Sequence, residues 1–157
     1  MTSAFLTVSN GRKVGRETIP HLSFEEFRSS ALDIVKSGGK VVQYFVYKEN
    51  ETFKLLAVLR KDDLFVAGCD VLETYPSLSF ECEPFHMFER EVAEQYGILP
   101  EGHPWFKMVR YHPNYTGKAD CFGNDYSEDI PGNYDYYQVD GEEIHEVAVG
   151  PVHAGVI

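Results

Sequence analysis

The chain contains 157 residues, of which 43% are hydrophobic and 14% aromatic, and its formal net charge is −11 at pH 7. This length suits one domain with an extension, and the apolar content supports a sizeable core. The chain has no basic stripe, no run near the ~18 apolar residues of a membrane span and no apolar leader, so we expect no nucleic-acid binding, no direct membrane span and no secretory signal.

The first predicted element is a short hairpin. Asn10-Gly11 is a strong signal for a tight turn, and it lies between the apolar segments Phe5 to Val8 and Val14 to Ile19. We therefore expect these two segments to pair with each other.

A helix is predicted to follow. Ser23 is placed to cap its N-terminus, Glu26 completes a capping box, and Gly38-Gly39 ends the helix. The apolar residues that recur at helical spacing are Phe24, Phe27, Ala31, Ile34 and Val35. We expect this helix to have a structural role.

Four strands are predicted next, because Val, Leu, Phe and Tyr alternate along short segments bounded by turn residues. The strands are Lys40 to Glu49, Thr52 to Arg60, Leu64 to Val71 and Leu78 to Cys82. Asn50-Glu51 is the predicted turn between the first two strands, and a turn near Tyr75-Pro76 precedes the last. The fold class is α+β, a two-layer sandwich in which two helices cover a small mixed or antiparallel sheet, with an extended C-terminal arm.

The second helix is predicted to begin near Pro84 and to end at Gly97, a position that favours the left-handed conformation closing a helix. Its apolar stripe consists of Phe85, Phe88, Val92 and Tyr96. Glu89 lies on the edge of this stripe, whereas Arg90 and Glu91 point elsewhere. Because an unpaired buried carboxylate costs several kcal/mol, Glu89 needs a partner. The candidates within the chain are Arg110, Lys107 and His103, and the alternative is a cation on another subunit.

The negative charge of the chain is concentrated near its C-terminal end. Residues 120–143 contain eight acidic residues and no Lys or Arg, whereas the rest of the chain carries 17 acidic and 14 basic residues. Aliphatic residues are scarce in this acidic, aromatic segment, so we predict a linker or arm that orders against a partner. Residues 144–157 regain an apolar alternation, which we interpret as the start of a further element.

The segment Phe88 to Pro104 resembles the most diagnostic stretch of the C subunit (30 kDa subunit) of respiratory complex I and its relatives in membrane-bound [NiFe]-hydrogenases. The matching elements, in the family's order, are Glu89-Arg90-Glu91, Tyr96-Gly97-Ile98 and Gly102-His103-Pro104. The similarity covers roughly residues 20–115. After Gly-His-Pro the family usually has paired arginines, where this chain has Trp105-Phe106-Lys107-Met108.

A second resemblance lies in the tail. Val149 to Gly155, with Gly150, Pro151 and His153, is similar to the opening strand of the large subunit in complex I-related [NiFe]-hydrogenases of the formate hydrogenlyase type. In those proteins a C-subunit-like domain is fused ahead of the large subunit. The domains implied are a C-subunit-like domain (1–119), the acidic arm (120–143) and the start of a large-subunit-like segment (144–157).

These resemblances imply a non-catalytic scaffold on the cytoplasmic, peripheral side of a membrane-bound oxidoreductase complex. The partners implied are the hydrogenase or complex I large subunit and the small iron–sulfur subunit. No cofactor is expected in this chain, and the nickel–iron centre and iron–sulfur clusters are expected in partner or downstream segments. The alternative within this class is the C subunit of NADH:quinone oxidoreductase.

Other interpretations of the same residues remain open. Three roles are open for the triplet Glu89, Arg90 and Glu91. It forms ion pairs with another subunit, it is a solvated and ion-paired helix face, or it is an acid–base catalytic site. His103 either fixes a turn or joins His112 and Glu89 in a small stand-alone metalloenzyme. Three scattered cysteines indicate reduced thiols that act as small core hydrophobes rather than cluster ligands. A plain interaction module that uses the acidic arm to capture a basic partner is a further alternative.

Overall fold

The computed structural model describes residues 4–110, 113–123 and 141 of the chain. The elements, in chain order, are β1 (Leu6–Val8), β2 (His21–Leu22), α1 (Phe24–Lys36), β3 (Lys40–Glu49), β4 (Thr52–Arg60), β5 (Leu64–Val71), β6 (Thr74–Pro76), α2 (His86–Tyr96) and β7 (Leu99–Glu101). Short 3-10 helices lie at Arg16–Thr18 and Glu83–Phe85. Among the described residues, no helix is long and apolar enough to cross a membrane.

The main sheet is built on an antiparallel meander of β3, β4 and β5. The β3–β4 hairpin turns at Asn50-Glu51 as predicted, and Asn50 takes the left-handed conformation with φ of 55°, which Asn adopts more readily than most residues. The strand order is β1-β5-β4-β3, and β2 also pairs with β5. β3 is therefore the edge strand opposite β1.

Both short strands share the free edge of β5. β1 runs antiparallel along its first half, with Leu6 opposite Val66. β2 runs parallel along its second half, with His21 opposite Gly68. The hairpin predicted between Phe5 to Val8 and Val14 to Ile19 is therefore wrong. Its turn at Asn10-Gly11 is present, but Leu6–Val8 pairs with β5 and residues 14–19 form no strand.

α1 follows the predicted capping signals. The Ser23 hydroxyl accepts a hydrogen bond from the Glu26 backbone N–H at 3.3 Å, which satisfies one of the donors left free at a helix start. The buried face of α1 consists of Phe27, Ala31, Leu32 and Val35. Its exposed face joins the loop before α2, since Arg28 and Lys36 both pair with Glu81.

One hydrophobic core joins both helices to one face of the sheet, which gives the predicted two-layer α+β fold. The sheet contributes alternate residues that include Tyr44, Val46, Leu55, Ala57, Leu59, Ala67, Cys69 and Val71. α2 contributes Val92, and the 3-10 turn before it contributes Phe85. The predicted apolar stripe of the second helix is thus confirmed, with Phe88 and Tyr96 packed at the margin of the core.

The strand predicted over Leu78 to Cys82 is wrong. These residues form turns instead, and the strand lies just before them as β6, which pairs parallel with β7 in a separate two-stranded sheet. Tyr75 and Pro76, expected in a turn, belong to β6. The reason is not only local to the sequence. The backbone N–H groups of Leu78 and Ser79 are bonded to Glu89 of α2, while those of Glu81 and Cys82 are bonded to the Leu78 carbonyl within the turn.

Candidate functional site

α2 and the segments around it contain most of the residues that carry the family resemblance. The helix ends as predicted at Gly97, which has φ of 66° and donates its N–H to the Ala93 carbonyl. The face of α2 that carries Val92 lies on the core, while the opposite face is covered by residues 105–110 and 113–123, which we name the covering segment. Glu89, on the side of the core, and Arg90 and Glu94, on the covered side, are therefore buried although they are charged.

Glu89 is a fully buried carboxylate that binds the turn after β6. Its Oε1 accepts the Leu78 N–H at 2.7 Å, and its Oε2 accepts the Ser79 N–H at 3.1 Å. The hydroxyls of Ser77 and Ser79 donate to Oε2 as well. Four donors thus surround one anion, an arrangement that compensates for its removal from water.

The partners of Glu89 differ from those predicted. Arg110, Lys107 and His103 were the expected candidates, but the donors of the described structure are the serine hydroxyls and backbone N–H groups. A cation on another subunit also fits poorly, because Glu89 has 0% exposed surface. The backbone supplies its donors at a fixed position, which a sequence pattern centred on charged side chains does not reveal.

Glu94 is a second buried carboxylate, and it is not among the residues predicted from the sequence. Its relative exposure is 1%, and it accepts the backbone N–H groups of Val109 at 2.7 Å and Arg110 at 2.9 Å. Glu94 lies about 180° from Phe85 around the helix, on the side that the helical pattern assigns to solvent. No signal in the sequence indicates that a later segment covers that side.

Arg90 lies on the same covered side and holds the same segment. Its guanidinium donates to the carbonyls of Lys107 at 2.5 Å and Met108 at 2.7 Å, and it lies over the ring of Trp105 at 5.2 Å. Arg90 is 7% exposed. Its planar fork therefore binds backbone within the chain, so an ion pair from Arg90 to another subunit does not fit its position.

Within the triplet Glu89, Arg90 and Glu91, it is Glu91 that agrees best with the predicted solvated, ion-paired helix face. It accepts a hydrogen bond from Arg110 Nε at 2.8 Å and one from Gln95 at 3.1 Å. Its side chain is 29% exposed and that of Arg110 is 55% exposed. The pair joins α2 to the covering segment at a position that is partly exposed to solvent.

The Gly102-His103-Pro104 turn is fixed by hydrogen bonds of His103, which is the first of the two roles predicted for this residue. Its Nδ1 accepts the Trp105 N–H at 3.1 Å, so in the neutral ring Nε2 carries the proton and donates to the His86 carbonyl at 3.0 Å. Burial lowers the pKa of His103 from its ordinary value of 6.5, which outweighs the opposing effect of the bond to His86. Gly102, at φ of 76°, provides the left-handed residue that starts this turn.

The described side chains of this region, Glu89, Arg90, Glu94 and His103, are engaged in hydrogen bonds within the chain. Among the described residues, no group of three His, Cys, Asp or Glu side chains is placed to hold a metal ion. Glu89 and the Nδ1 of His103 already accept hydrogen bonds from within the chain, so the proposed site of these two with His112 does not fit them. His112 itself lies outside the described residues, as do Gly150, Pro151 and His153.

The thiols are consistent with the predicted core role. Cys69 and Cys82 are buried in the core, and Cys121 is partly buried. Burial raises the pKa of the Cys69 thiol to about 12 and that of Cys121 to about 11. Both are therefore protonated near neutral pH, which makes them poor nucleophiles.

The predicted boundary of the acidic arm falls inside packed structure. Asp120, its first residue, is buried, and its Oδ1 accepts the Phe122 N–H at 2.8 Å. Phe122 stacks on Phe106 with ring centroids 4.4 Å apart. Residues 113–123 thus belong to the covering segment of α2, whereas residues 124–140 and 142–157 lie outside the described part.

Comparison of the chain with protein-family models and with curated proteins gives no match.

Proposed function

We propose that this chain is a scaffold domain of a complex I-like, membrane-bound [NiFe]-hydrogenase. In this role it braces the large subunit and the small iron–sulfur subunit, while proton reduction or hydrogen oxidation takes place outside these residues. The nickel–iron centre and the iron–sulfur clusters belong to partner or downstream segments, and the complex faces the cytoplasm.

The observation that supports a scaffold most is the use made of the charged residues in the family-like segment. Glu89, Glu94 and Arg90 bind backbone groups of two loops on opposite sides of α2. A catalytic acid or base must reach a substrate proton, whereas these groups are enclosed and already hydrogen-bonded. Such groups fix the shape of loops, which is the property that a docking domain requires.

The hydrogenase branch is preferred over NADH:quinone oxidoreductase because of the tail resemblance at Gly150, Pro151 and His153. The two branches share the scaffold role and differ in the reaction of the complex. Assays of hydrogen evolution and of NADH-dependent quinone reduction on the same purified complex separate them.

The proposal is tested by isolating the complex through an affinity tag on the full-length protein that contains this chain. We expect a nickel–iron large-subunit region and a small iron–sulfur subunit in stoichiometric amounts, together with hydrogen evolution from a reduced donor. Stoichiometric zinc, iron or nickel bound by residues 1–123 alone, or turnover by that segment without companions, contradicts the proposal.

A further inference from the structure

An exposed apolar surface surrounds the start of α2, which we name the Trp105 surface. It consists of Met87 and Trp105, whose relative exposures are 44% and 56%. Met87 contacts the guanidinium of Arg90, which in turn lies against the Trp105 ring, so these two apolar side chains are connected. Large exposed apolar groups of this kind are enriched in protein interfaces.

Trp105 is held in position although it is more than half exposed. Its backbone N–H is bonded to His103, and its ring is stacked at 24° on His86 with centroids 6.3 Å apart. Two cations, Arg90 and Lys107, lie over the ring at 5.2 and 5.4 Å. A partner that contacts Trp105 therefore meets an ordered side chain and loses little conformational entropy in fixing it.

A small cleft opens beside this ring. It is lined by Ser79, Glu83, His86, Pro104 and Trp105 and has a volume of about 250 Å³. This is smaller than the roughly 300–1,000 Å³ of typical small-molecule pockets. The cleft suits one protruding apolar side chain of a protein partner.

The charge next to Trp105 identifies the chemistry of that partner. Lys107 is exposed, and within the described residues it makes no ion pair with a carboxylate. Arg90 adds a second positive charge behind the ring. Glu83 lines the cleft, so a negative group of the partner is favoured near Lys107 rather than near Glu83.

We infer that the Trp105 surface is the docking site for a segment of a partner subunit that carries an apolar side chain next to an Asp or Glu. The apolar side chain fills the cleft beside Trp105, and the carboxylate pairs with Lys107. This inference rests on the proposed scaffold function and specifies which surface of the scaffold meets a neighbour.

The test uses tagged full-length protein and measures, by quantitative mass spectrometry, how much large and small subunit is recovered with it. Trp105→Ala and Lys107→Glu are each expected to lower recovery of one partner at least about tenfold, as for a central interface residue. Lys107→Arg is expected to retain it. Phe45→Ala is the matched control, because Phe45 is an aromatic residue with 40% exposure on the sheet face away from the helices.

The outcomes separate the two proposals. Unchanged recovery with Trp105→Ala and Lys107→Glu, in a complex that still forms, overturns the docking site and leaves the scaffold function standing. Loss with Trp105→Ala but not with Lys107→Glu overturns the acidic partner. If the isolated chain forms a homodimer that Trp105→Ala dissociates, the assignment of the Trp105 surface to a partner subunit is overturned. Absence of both subunits from the wild-type preparation contradicts the scaffold function itself. Circular dichroism and melting temperature check that each variant is folded.

Discussion

At the scale of single residues, Glu89 is the group on which the loop before α2 depends most. Its two oxygens accept the backbone N–H groups of Leu78 and Ser79, and these donors have no freedom to rotate toward another acceptor. In Glu89→Gln one oxygen becomes an NH₂ group, so at least one of the two N–H groups faces a donor. We expect the free energy of unfolding to fall by about 2–4 kcal/mol, measured by chemical denaturation.

The matched control is Glu91→Gln, which makes the same chemical change two residues later. Glu91 pairs with Arg110 at a partly exposed position, where an ion pair contributes about 0–1 kcal/mol. A loss of stability in Glu89→Gln no larger than in Glu91→Gln would show that the buried carboxylate does not organise the loop.

His103 gives the fold a pH dependence with a definite sign. Its pKa in the folded protein lies below the ordinary 6.5, so the unfolded chain binds a proton more readily than the folded chain. Stability is therefore expected to fall as pH decreases from about 6.5 towards the lower pKa of the folded state. Protonation of Nδ1 also removes the acceptor for the Trp105 N–H.

The measurement is urea denaturation at pH 7.5, 6.5 and 5.5 for the wild type and His103→Gln. Gln does not titrate, so the difference between the two proteins isolates the contribution of His103 from that of other groups. The wild type is expected to lose more stability than the variant over this interval. Parallel pH profiles would refute the assignment.

At the scale of elements, Gly97 ends α2 where residues 113–121 return to it. A Cβ at this position would lie 3.3 Å from the Ala119 carbonyl oxygen, in addition to the strain of φ at 66°. Gly102 has a similar φ of 76°, but a Cβ there meets nothing within 4 Å. The two positions therefore share the backbone cost and differ in the close approach.

We expect Gly102→Ala to lower the free energy of unfolding by about 1–2 kcal/mol, the cost of a left-handed residue with a side chain, and Gly97→Ala to lower it further. Thermal and chemical denaturation of both variants measure the difference. Equal losses would mean that the segment around Ala119 shifts without cost and does not pack against the helix end.

The elements that were predicted correctly are those whose signals lie within a few residues. Ser23 caps α1 through a neighbour three residues away, Asn50 closes the β3–β4 turn, and Gly97 ends α2. Leu78 to Cys82 also has a strand-like local pattern, yet its first two N–H groups, of Leu78 and Ser79, are bonded to Glu89, which lies 11 and 10 residues further on. The pairing of β1 and β2 with β5 is similarly distant.

The same distinction applies to the candidate site. The hydrogen-bonding role of His103 follows from a local Gly-His-Pro turn and was predicted. The burial of Glu94 and Arg90 depends on a segment that returns over the far side of α2, and helical periodicity alone places both residues in solvent. A buried carboxylate or guanidinium held by backbone groups leaves no mark in the sequence near it.

At the scale of the whole molecule, α2 lies between two parts of the structure. One part is the sheet with α1 and the turn held by Glu89, and the other is the covering segment, residues 105–110 and 113–123, held by Arg90 and Glu94. The covering segment contains no helix or strand among its described residues. Its position therefore depends on a few hydrogen bonds and side-chain contacts with α2, and it is expected to open at lower free energy than the sheet.

Glu94→Gln tests this division, because it weakens the covering segment without touching the core face of α2. The covering segment is expected to exchange its amide hydrogens roughly 5- to 150-fold faster, as removing one acceptor from buried N–H groups costs about 1–3 kcal/mol. Exchange in β3, β4 and β5 is expected to change little, as mass spectrometry of peptic fragments can show. Glu89→Gln provides the contrast, since it lies on the core side and should raise exchange in the sheet as well. Uniformly faster exchange in Glu94→Gln would show instead that the covering segment and the sheet unfold as one cooperative unit.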